Sequence, residues 1–102
     1  MMVTRQPYPD TEHLLPRTQR ITVYPNLVRQ KQFWLQFYYV DKCVFSVHLY
    51  TLSGTEVFRK FYHHASYHAT HTITLPVKLQ RGIYKLALRS EAIDYVQPIV
   101  IL

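Results

Sequence analysis

The chain has 102 residues, 48% of them apolar and 18% charged, which supplies one hydrophobic core, excludes a wholly disordered chain and leaves no room for a second domain. Twelve Lys and Arg against six Asp and Glu give a formal charge of +6, which admits an anionic partner without naming one. No apolar run approaches the roughly 20 residues of a membrane-spanning helix, residues 1–20 hold no apolar signal-peptide segment, and a single cysteine, Cys43, allows neither an internal disulfide nor a thiolate metal cluster.

Residues 1–20 mix Pro, Thr, Gln and both signs of charge without periodicity, and are expected to form an extended lead-in or linker. Residues 21–102 change character: short runs of Val, Ile, Tyr, Phe and Thr alternate with turn signals, and none holds helical spacing beyond a turn or two. Ile21 to Tyr24 is a first strand, stopped by Pro25-Asn26. Gln32 to Val40 is a second, with Phe33, Leu35, Phe37 and Tyr39 on one face and Trp34, Gln36 and Tyr38 on the other. Asp41-Lys42 reads as a tight turn into Cys43 to Thr51, so these two strands are expected to form a hairpin, with Phe45, Val47 and Leu49 opposing Ser46, His48 and Tyr50. Ser53-Gly54 supplies a second turn into Glu56 to Tyr62.

The least patterned interior segment is His63 to His68, read as a polar loop. Thr70 to Leu75 alternates threonines with His71, Ile73 and Leu75, and ends at Pro76. After Gly82, Ile83 to Arg89 sets Tyr84, Leu86 and Leu88 against Lys85 and Arg89. Tyr95 to Leu102 is the last strand, and Pro98 predicts an edge position there. About seven strands with connections too short for crossover helices predict an all-β, immunoglobulin-like antiparallel β-sandwich.

Chemistry leaves few traces. Gly54 and Gly82 lie far apart, so no phosphate-cradling loop or nucleophile elbow can form. The carboxylates Asp10, Glu12, Asp41, Glu56, Glu91 and Asp94 fall in the lead-in or near turns, and no strained turn presents a serine. No enzyme activity and no cofactor is expected. His63, His64, His68 and His71 are the one concentration of potential metal ligands, but no carboxylate lies near in sequence to orient a ring. No metal site is assigned to them. The basic residues are scattered, and although Trp34, Tyr38 and Tyr62 could form a stacking platform, nucleic acid is not the expected partner.

From Val23 to Leu102 the order of landmarks resembles the C-terminal sorting domain of cargo proteins of the type IX, or Por, secretion system of Bacteroidetes. Tyr24-Pro25-Asn26 is similar to the family's "YPNP" opening, with Leu27 in place of the second proline. Phe45 to Val57, through Gly54, resembles its strand, "sG" turn and returning strand, and Leu79 to Tyr84 its "L..G.Y" motif. The resemblance implies an address domain read by an outer-membrane translocon and cut in the lead-in by a sortase-like protease. A passenger would be delivered through the periplasm to the cell surface or medium. It implies structural roles for Tyr24, Pro25, Asn26, Gly54, Gly82 and Tyr84, and docking by the last strand at Ile99, Val100 and Ile101. The alternative is a free-standing basic module or adaptor that binds lipopolysaccharide, an acidic glycan or nucleic acid.

Overall fold

The two-residue alternation of side chains builds eight strands in a computed structural model that describes residues 18–102. They are β1 (Arg20–Tyr24), β2 (Leu27–Val28), β3 (Gln32–Tyr38), β4 (Cys43–Thr51), β5 (Glu56–His64), β6 (Ala69–Thr74), β7 (Gly82–Arg89) and β8 (Asp94–Ile101). A three-stranded sheet in the order β1-β3-β6 packs on a five-stranded sheet in the order β2-β8-β7-β4-β5. All pairings are antiparallel except that of β2 with β8. The fold is an immunoglobulin-like all-β sandwich. Nearly all of the lead-in, with its expected cleavage point and with Asp10 and Glu12, lies outside the described residues.

The core is the sum of the inward rows. Phe33, Leu35 and Phe37 of β3 and Ile73 of β6 face Phe45, Val47 and Leu49 of β4, Leu86 and Leu88 of β7, and Ile99 and Ile101 of β8. Each is essentially without solvent contact, and each such burial contributes roughly 1.5–3 kcal/mol against the entropy of ordering the chain. Phe37 and Phe45 meet across the sheets with ring centroids 4.9 Å apart.

The expected hairpin between the second and third predicted strands does not form. β3 pairs with β1 and β6, whereas β4 pairs with β5 and β7. A hairpin would put the apolar rows of β3 and β4 side by side on one face, but placed in opposite sheets they bury each other. Residues 39–42 make the crossing: Tyr39 has a φ of 55°, and buried Val40 donates its N–H to the Tyr67 carbonyl at 3.2 Å.

A second crossing joins the sheets at the start of the fold. β1 and β2 are one extended segment that leaves the first sheet after Tyr24, passes the cis Tyr24–Pro25 bond and joins the second at Leu27. The Asn26 carbonyl accepts from the Val100 N–H at 3.1 Å, and its Oδ1 from Gln97 Nε2 at 3.0 Å. The sequence motif around Pro25 therefore anchors the first strand to the last. β2 escaped the sequence reading because two residues carry no periodicity.

Tyr84 packs into the core and donates its O–H to the Gln80 carbonyl at 2.6 Å, the arrangement of an immunoglobulin-type tyrosine corner. Between them Gly82 has a φ of 151°, which favours glycine. Gly54, with a φ of 96°, closes the β4–β5 turn through its N–H to the Thr51 carbonyl at 2.9 Å. At the outer edge of the large sheet, β5 carries Arg59 and Lys60, charges that oppose pairing with another chain.

Candidate functional site

Along β8, alternation sends Ile99 and Ile101 inwards and Val96, Pro98, Val100 and then Leu102 outwards. Of the three expected docking residues, only Val100 is on the surface; Ile99 and Ile101 are each 1% exposed and belong to the core. Across the ladders Val100 lies between Ile83 of β7 and Leu27 of β2, both about half exposed. Val96 stands opposite Ala87, and Lys85 opposite Pro98. The Lys85 ammonium leans 5.7 Å from the centre of the Tyr50 ring. The result is an apolar strip over the outer face of β2, β8 and β7.

Sequence reasoning missed Leu27, Ile83, Val96, Pro98 and Leu102. The available signal was that residues 95–102 are apolar at both parities, which a one-sided strand does not need.

The last strand is also not the edge at its end. Val100 donates to Asn26 and Leu102 donates its N–H to the Val28 carbonyl at 2.9 Å, so β2 covers β8 there. By the same alternation the Pro98 nitrogen faces the β2 side, where no ladder partner is needed. Further along that side, at Asp94 and Val96, no strand pairs with β8 among the described residues. The edge expected from Pro98 is present, but it lies ahead of Ile99, Val100 and Ile101.

A polar row occupies the other half of the outer face. His48 Nδ1 donates to Glu56 Oε2 at 2.7 Å, which leaves Nε2 to accept the Ser46 hydroxyl at 2.8 Å. Glu56 reaches this face because a bulge opposite Leu49 and Tyr50 inserts one extra residue in β5. The His48 hydrogen bond holds the Glu56 carboxyl below its ordinary value, with Arg59 adding to the effect. The order Ser, His, carboxylate is that of a nucleophilic triad. Yet Ser46 lies mid-strand, with β5 and β7 paired on both sides of it, so its neighbouring backbone N–H groups are committed to the ladders and cannot hold an oxyanion. The row can orient hydrogen bonds along the sheet.

The histidine concentration separates. His64 is not in a loop but ends β5, 2% exposed; its Nε2 donates to the Val40 carbonyl at 2.9 Å, and Nδ1 meets His71 Nε2 at 2.9 Å. Both His64 nitrogens are thus occupied. Burial, with His64 beside it, pushes the His71 imidazole below its usual value. His68 instead accepts the Tyr39 N–H at 3.3 Å, and His63 is exposed on the opposite parity from His64. No three His, Cys, Asp or Glu side chains among the described residues form a metal-binding group.

The remaining expectations are placed as follows. Trp34 and Tyr38 share the outer face of the small sheet, whereas Tyr62 stacks on Phe45 inside the sandwich with centroids 5.6 Å apart; the three do not form one platform. Arg89 pairs with Asp94 and Arg59 lies near Glu56, which breaks up the positive charge of the large sheet. No described helix is long and apolar enough to cross a membrane. No protein-family model matches the chain, and no curated protein matches it.

Proposed function

We propose that the domain is a non-enzymatic sorting module of type IX secretion, read by an outer-membrane translocon and separated from its passenger by a sortase-like protease acting in residues 1–20. The cargo would be secreted or displayed at the cell surface. The observation that carries this reading is the outward row of β8, Val96, Pro98 and Val100, flanked by Leu27 and Ile83. It offers a partner a shaped apolar surface beside an open strand edge at Asp94 and Val96. The opening motif of the resemblance supports the same surface, because Asn26 fastens β2 alongside Val100.

The test is a fusion of the full chain, residues 1–102, behind an exported reporter in a type IX competent cell, with surface release as readout. Removing the last strand would also remove Ile99 and Ile101 from the core, so the informative variant is Val96→Glu with Val100→Glu, which alters the outer face only. Release by the parent fusion and retention of the variant, with unchanged circular dichroism, is the expected result. Equal release of both, or none from the parent, would overturn the proposal.

A further inference from the structure

The outer face of the small sheet differs in kind from that of the large one. Strand register sets Tyr24, Trp34 and Thr72 in one row, Thr22, Gln36 and Thr70 in the next, and Arg20 beside Tyr38 in a third. Tyr24 is 61% exposed, and its ring centroid lies 6.2 Å from that of Trp34. Two concavities open along β3: one of about 500 Å³ bounded by Trp34, Gln32, Arg29, Leu27 and Pro25, the other of about 200 Å³ between Gln36, Tyr38, His68 and Thr70. Trp34 and Tyr38 are separated by about 13 Å of strand, a span suited to an oligomeric ligand rather than a single small ring.

Charge narrows the occupant. The outward side chains of β1, β3 and β6 include no carboxylate; their one formal cation, Arg20, lies 4.4 Å over the Tyr38 ring, and a second, Arg29, borders the larger concavity. Between these two separate cations, which make no continuous track, the face consists of aromatic rings bordered by amides and hydroxyls, with Pro25 and Leu27 at one end. A single-stranded nucleic acid calls for a track of cations beside its stacking rings, and a protein partner for an apolar centre. A sugar ring has an apolar C–H face and a rim of uncharged hydroxyls, which match an aromatic ring bordered by Gln and Thr.

We propose that this face binds an extended, uncharged polysaccharide, stacked on Tyr24 and Trp34 and hydrogen-bonded by Gln32, Gln36 and the β6 threonines. The site meets the β8 surface at Leu27, which borders both, but it does not rest on the sorting reading.

Trp34 is the only tryptophan in the protein, so its fluorescence reports on this face directly. The full chain is titrated with cellohexaose, xylohexaose, mannohexaose and an oligothymidylate, at low and high salt. At least one hexaose should shift the emission saturably and to the same extent at both salt concentrations. Tyr24→Ala should weaken that binding about tenfold or more, by analogy with the loss of one stacking ring, and Phe61→Ala on the opposite sheet should leave it unchanged. No response to any hexaose, a response indifferent to Tyr24→Ala, or a response confined to the oligothymidylate and abolished by salt would overturn the proposal.

Discussion

Tyr84 and Tyr62 each carry a phenol into the sandwich, and the two hydroxyls meet different fates. That of Tyr84 is satisfied by the Gln80 carbonyl, whereas that of Tyr62 is buried with no hydrogen-bond partner, and burial raises its ionisation above the usual tyrosine value. Tyr84→Phe should therefore cost about 1–2 kcal/mol by urea unfolding, because it leaves the corner carbonyl unpaired. Tyr62→Phe keeps the stacking on Phe45 and removes an unsatisfied group, so its stability should be equal to or above that of the parent. Gly82 and Tyr84 stood out in the sequence as the end of the "L..G.Y" motif, whose resemblance implies structural roles for them, but the corner bond to Gln80 became visible only in the structure. The orphaned hydroxyl of Tyr62 was not legible in the sequence, since satisfaction depends on neighbours distant in the chain.

At the scale of the element, β8 shows how far alternation carries an inference. The sequence grouped Ile99, Val100 and Ile101 as one docking set; alternation divides them between two faces, but two apolar rows give no indication of which is the core. Ile99 and Ile101 fill the interior, and Val100 faces out. Ile99→Ala should cost roughly 2–5 kcal/mol through lost contacts and a cavity, whereas Val100→Thr should change stability by no more than about 1 kcal/mol. Comparable losses from both in chemical denaturation would contradict this assignment of faces. The failure of the expected hairpin has the same origin: Asp41-Lys42 has turn chemistry, yet turn residues do not say whether a chain reverses within a sheet or steps across to another. Gln30 and Lys31, with φ of 58° and 59°, form the β2–β3 turn without any glycine to announce it.

For the molecule as a whole, the His64–His71 contact links the end of β5 to β6 across the sandwich and makes stability depend on pH. His71 ionises below its ordinary value of 6.5 because the buried imidazole resists charge. The unfolded chain then binds more protons than the folded one as pH falls past 6.5, so stability declines on acidification from that point. His71→Gln, whose amide can still donate to His64, should flatten this part of the curve. Glu56, whose carboxyl is held below 4.5 by the His48 hydrogen bond, contributes a separate stabilisation present above 4.5 and lost as pH falls through its lower folded value. The urea midpoint measured across this range checks both. Composition and two-residue periodicity were enough to establish an all-β sandwich and most of its strands, because alternation is a local property of extended chain. Sheet membership, the parallel β2–β8 seam, the pairing of His64 with His71 and the outward turn of Val100 arose from long-range closure, in which an apolar row is core or surface according to what the rest of the chain lays against it.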